Sequence, residues 1–121
     1  MRRKRNMMNP ELKDAIKVLR AASRGGGKAI WGALAEDLDK SKRRRVTVNL
    51  SKIDRHTEEG DVVAVPGKVL ATGFLNHKVT VAAFSFSGMA EEKIVASGSQ
   101  AMSLRDLLEG DVEPSEIRIL K

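Results

Sequence analysis

"DVVAV", residues 61–65, and "VTVAAF", residues 79–84, are nearly unbroken apolar runs of strand length. Successive side chains of a strand point to opposite faces, so a strand with one wet face alternates apolar and polar residues. Runs without that alternation are covered on both faces, and helices are the layers that cover them. Working outward, Val46, Val48 and Leu50 alternate as a strand, and Ser87 caps a helix that runs through about Val95 and ends near Gly98. Ala101-Met102 reads as a short strand, Ser103-Leu104-Arg105-Asp106-Leu107-Leu108 as a second short helix, and Glu116-Ile117-Arg118-Ile119-Leu120 as a closing strand. Pro66-Gly67-Lys68 and the stretch from Gly73 to Lys78 read as turns or loops.

Upstream of residue 46 the period is helical. Asn9-Pro10-Glu11 combines a capping oxygen, a proline at the first helical position and an acid at the positive helix end. Leu12, Ile16, Leu19 and Ala22 recur at helical spacing, Arg24-Gly25-Gly26-Gly27-Lys28 stops that helix, and Ile30, Leu34 and Leu38 form one face of a second. Trp31 is expected to pack between the two. The expectation is an α/β protein: an N-terminal helical pair followed by an irregular strand-strand-helix layered domain, its strands too short to promise a regular doubly wound sheet. A chain of 121 residues with 41% hydrophobic content suits one domain. It divides into a basic flexible arm at 1–8, a helical part at 9–40 and an α/β part at 41–121.

With no cysteine, neither a disulfide framework nor a thiolate metal site is at hand, and a reducing, cytoplasmic setting is the simpler reading. The charged start is followed by no signal-like apolar stretch, and no segment approaches the roughly 20 apolar residues of a membrane helix. The formal charge of +6 is unevenly spread. Residues 1–45 hold 14 Lys/Arg against 5 Asp/Glu, whereas residues 46–121 hold 8 against 11. Charge placed only for solubility mixes its signs, so this asymmetry points to a polyanion-binding half on a near-neutral or acidic body.

No catalytic constellation is visible. The glycine-rich Arg24–Ala29 stretch departs from a phosphate-binding loop at three places: Ala22 stands where the first glycine belongs, Ala29 where a Ser/Thr would hold magnesium, and a helix precedes it in place of a strand. His56 and His77 lack metal-ligand spacing. Ser85 and Ser87, in Phe-Ser-Phe-Ser-Gly, lack the glycine two residues before a nucleophile-elbow serine. Glu58-Glu59 and Glu91-Glu92 are adjacent in sequence and suit solvated turns or helix faces. The expectations are no enzyme activity, no cofactor, no metal and no small-molecule substrate.

Only four aromatics are present, Trp31, Phe74, Phe84 and Phe86, so exposed stacking platforms for single-stranded RNA are scarce. The pattern fits a reader of phosphate backbone and folded RNA shape. Lys40, Lys42, Arg43, Arg44 and Arg45 feed directly into Val46-Thr47-Val48, and a strand-anchored array of cations suits a fixed polyanion better than a fluid lipid surface. A regulatory RNA- or DNA-binding protein is the alternative reading. The candidate RNA-binding residues are Arg2, Arg3, Lys4 and Arg5 on the arm, Lys28, the cluster Lys40, Lys42, Arg43, Arg44 and Arg45, then Lys52 and Arg55. Lys68, His77 and Lys78 join them as loop residues between buried runs.

Ser41–Ile53, Gly60–Leu70, Gly73 and His77–Ser87 together resemble the large-subunit ribosomal protein L eighteen e family of archaea and eukaryotes, which is similar in fold to bacterial ribosomal protein L fifteen. The resemblance extends to Asn9-Pro10 and to Ile117-Arg118-Ile119, and the compact length is similar to the archaeal form. It implies an α/β domain of the L fifteen / L eighteen e type, a non-enzymatic structural constituent of the large subunit. The implied partners are large-subunit rRNA and neighbouring ribosomal proteins in the cytoplasmic ribosome.

Overall fold

The computed structural model describes residues 10–24, 29–39, 46–110 and 112–121. The arm at 1–8, the Asn9 cap, the glycine turn with Lys28, and the 40–45 cluster lie outside the described residues. Among the described residues the order is α1 (Pro10–Arg24), α2 (Ala29–Leu38), β1 (Val46–Asn49), α3 (Leu50–His56), β2 (Val62–Leu70), β3 (Thr80–Phe86), α4 (Gly88–Ala96), β4 (Gln100–Ser103), α5 (Leu104–Glu109), a 3-10 turn (Pro114–Glu116) and β5 (Ile117–Ile119). The strands form one sheet with every pairing parallel, in the order β1-β2-β3-β4. β5 pairs with residues 62–64 of β2 and β1 pairs with residues 67–70, so two short strands share one edge of β2.

Alternation along β2 and β3 divides the apolar side chains between two layers. Val63, Val65, Val69, Val81 and Ala83 join Val48, Leu50, Ile53, Ala90 and Ile94 beneath α3 and α4. Ala64 and Ala82 meet Leu12, Ile16, Leu19, Trp31, Leu34, Leu38, Leu104 and Leu107 from α1, α2 and α5. Small alanines in the second layer let the helices approach the central strands closely, and both strands are covered on both faces as their sequences require. Trp31 is buried in this second cluster with the apolar faces of α1 and α2.

Helix starts follow local chemistry. The Ser87 hydroxyl accepts from the Ala90 N–H at 3.1 Å, and the Ser103 hydroxyl from the Asp106 N–H at 3.0 Å. Two expectations are corrected. Leu50 does not extend the strand that starts at Val46; it opens α3, and its side chain is fully buried there. Pro66-Gly67-Lys68 is not a turn but runs through the middle of β2. Pro66 has no N–H to offer a ladder, and it sits at the gap between the β5 and β1 pairings, where the register to β3 also shifts. Gly67 lies against β1 so closely that a Cβ there would overlap the Val46 carbonyl oxygen.

Candidate nucleic-acid interface

Of the fourteen Lys/Arg residues in 1–45, the structure describes four, Lys13, Lys17, Arg20 and Arg24, and all four are exposed on α1. Their i, i+4, i+7, i+11 spacing confines them to an arc of about 60° on the helix. They line an open groove of ≈ 610 Å³ together with Asp14, Ile16 and Asp39. Arg20 is fixed by Asp39, with its guanidinium 2.8 Å from the carboxylate, whereas Lys13, Lys17 and Arg24 have no ion-pair partner among the described residues. None of the four is a candidate from sequence. Their signal was present as the polar spacing that complements Leu12, Ile16 and Leu19.

The 40–45 cluster begins one residue after Asp39 and ends one residue before Val46. Its flanks are therefore the end of α2 and the β1 strand lodged against Gly67.

The remaining candidates separate into free and committed cations. Lys68 is exposed on β2, not on a loop, and stands in register between Thr47 of β1 and Ser85 of β3. Its neighbour Val69 packs under α3 and α4, so alternation turns Lys68 to the opposite face, beside two hydroxyl-bearing side chains. Arg55 is exposed on α3 and Lys78 on the loop before β3; neither has an ion-pair partner among the described residues. Lys52 is spent internally, because its ammonium donates to the Lys121 main-chain oxygen at 2.7 Å.

His77 is likewise held by protein. The Thr57 hydroxyl donates to the Ile53 carbonyl at 2.7 Å, so it accepts from the Nε2–H of His77 at 2.8 Å, and Nδ1 faces Asp54 at 3.4 Å. The Asp54 carboxylate accepts from the Asn76 main-chain N–H at 2.8 Å and from its side-chain amide at 2.9 Å. These bonds favour the charged carboxylate and hold Asp54 below its ordinary value, with the nearby His77 adding to the effect and burial opposing it.

The same loop is clamped from its other side. The Lys93 ammonium donates to the carbonyls of Ala71 at 2.7 Å and Gly73 at 3.1 Å and lies 4.1 Å from the centre of the exposed Phe74 ring. Gly73, at φ +95°, has the Ser51 backbone N 2.7 Å from where a Cβ would sit, so only glycine fits this turn. The described candidates thus do not converge on one pocket. Lys68 stands in the sheet, Arg55 on α3 and Lys78 on the loop before β3, and none of them lies in the α1 groove.

An α/β layer that carries a stripe of cations on α1, three of its four without an ion-pair partner among the described residues, has the make-up of a protein that binds a polyanion. Residues 32–102 match the family model for ribosomal proteins 50S-L15, 50S-L18e and 60S-L27a. The chain is 45% identical to large ribosomal subunit protein eL18 of Haloarcula marismortui over 113 residues, covering 93% of this chain and 97% of that one. It is 41% identical to the eL18 of Methanothermobacter thermautotrophicus and 40% identical to that of Methanospirillum hungatei, each over the whole of both chains. The chain belongs to the family of ribosomal proteins 50S-L15, 50S-L18e and 60S-L27a.

Proposed function

We propose that this protein is a structural, non-enzymatic constituent of the large ribosomal subunit that binds and stabilises folded large-subunit rRNA in the cytoplasmic ribosome. The observation that carries this reading is end-to-end identity of 40–41% with two archaeal proteins named large ribosomal subunit protein eL18. The physical organisation supports it. The basic run of residues 40–45 leads in sequence into a strand packed on Gly67, an attachment that suits rRNA whose phosphates are themselves fixed in space.

In this reading the phosphate contacts come from Arg2, Arg3, Lys4 and Arg5, from Lys28, and from Lys40, Lys42 and Arg43 to Arg45. Arg55, Lys68 and Lys78 extend them over the sheet and the α3 surface. Lys52 and His77 support the fold around these contacts through the hydrogen bonds they already make. Neighbouring ribosomal proteins complete the set of partners.

Sucrose-gradient sedimentation of native lysate tests the reading. The protein is expected to co-migrate with large subunits and to remain there at high salt. A predominantly free pool at high salt would instead indicate a regulatory nucleic-acid-binding protein.

A further inference from the structure

We propose that the Lys13, Lys17, Arg20 and Arg24 face of α1 is a second RNA-backbone-binding surface, distinct from the 40–45 cluster. The proposal rests on the ribosomal reading and deepens it. The four cations follow one another at i+4, i+3 and i+4, and like charges at those spacings weaken a helix standing alone. Asp39 answers only Arg20, and Asp14, the other acid of the groove, is engaged by Arg105 at 3.0 Å. Arg24 in the last turn suits the helix dipole, but Lys13 and Lys17 have no countercharge among the described residues, and a polyanion would supply it.

The geometry narrows the ligand further. The apolar side of the helix, Leu12, Ile16 and Leu19, is buried beneath the sheet layer, so α1 has no free apolar face to sink into a membrane. Among the described residues no aromatic side chain lines the groove, so it offers a base no stacking platform there. From Lys13 to Arg24 the stripe is about 16 Å long, enough for about two to three phosphates of one strand. The ligand is accordingly the phosphodiester backbone of folded RNA, bound without regard to base. Asp39 holds Arg20 in the groove.

Filter binding of the full chain to protein-free large-subunit rRNA, measured across a salt series, tests this. The Lys13→Gln, Lys17→Gln, Arg24→Gln variant leaves the Arg20–Asp39 pair and every buried side chain in place. Its slope of log affinity against log salt is expected to fall in magnitude by about two to three units. The charge-preserving Lys13→Arg, Lys17→Arg, Arg24→Lys variant is expected to keep the wild-type slope. Asp39→Asn, which removes a repelling carboxylate and frees Arg20, is expected to bind several-fold more tightly.

A wild-type slope in the folded glutamine variant, with the Arg43, Arg44 and Arg45 variant still impaired, would overturn this surface and leave the ribosomal reading intact. Weaker binding by Asp39→Asn would also overturn it. Failure of the wild-type chain to bind the protein-free rRNA would overturn direct RNA contact altogether.

Discussion

The Lys121 ammonium lies 2.9 Å from the carboxylate of Asp37, a residue 84 positions earlier whose side chain is 6% exposed. The main-chain oxygen of the same lysine accepts from Lys52. One residue thus ties α2, α3 and the segment after β5 together. Lys121→Met removes the cation while keeping the stem, and the buried carboxylate loses a charged partner. The expected cost is about 1–3 kcal/mol in urea unfolding.

Gly67→Ala should be worse than its single methyl suggests. The added Cβ meets the Val46 carbonyl oxygen, which is backbone and can yield only if β1 shifts. A loss of about 1–3 kcal/mol is expected, with amide exchange rising at Val46 to Asn49 more than in β3. Equal exchange throughout the sheet would show that β1 tolerates the methyl group.

Acid should act through Asp54. Its folded value is lowered from 3.8 by the two Asn76 hydrogen bonds, so the contribution it makes to stability is complete above that ordinary value and is lost as pH falls through the lower folded one. In Asp54→Asn the unfolding midpoint should depend less steeply on pH below about 4. Midpoints in urea from pH 6 to pH 2.5 measure this, and a slope equal to wild type would discount the Asn76 contacts.

Replacing Arg43, Arg44 and Arg45 with Gln should leave the fold intact, since Val46, Val48 and Leu50 are untouched. The salt slope for rRNA binding is expected to fall by about two to three units. Single substitutions should have similar, base-tolerant effects if each arginine meets a phosphate, and one outsized loss would identify a base-edge contact. Circular dichroism checks that the domain is folded.

The layered fold was legible because Val62–Val65 and Val79–Phe84 state their two-sided burial directly, and because Ser87 and Ser103 mark helix starts within three residues of the N–H groups they cap. What escaped depends on partners distant in sequence. Leu50 continues the alternation of Val46 and Val48, and Asn49 makes no side-chain cap to announce α3. Pro66-Gly67 carries a turn signal that the packing of β1 overrides. For the interface, the charge asymmetry was plain, but Lys52 and His77 looked free because the groups they bind lie 69 and 20 positions away. The α1 stripe was obscured by the apolar face of the same helix, which drew the reading toward packing alone.

The shared edge of β2 has a kinetic meaning. Among the described residues every strand pairing is parallel, so none of these pairs can form early as a hairpin, and each waits on closure of a longer loop. The pairing of Val62 with Ile117 closes the largest of these loops. During synthesis, β1 to β3 can associate as soon as residue 86 is free, but the first half of β2 keeps an open edge until residues 117–120 emerge. That edge, Val62 to Ala64, is apolar and bears no charge. In the interval it is open to pairing with another nascent chain, and Leu120, whose N–H bonds to the Ala64 carbonyl at 3.0 Å, helps close it.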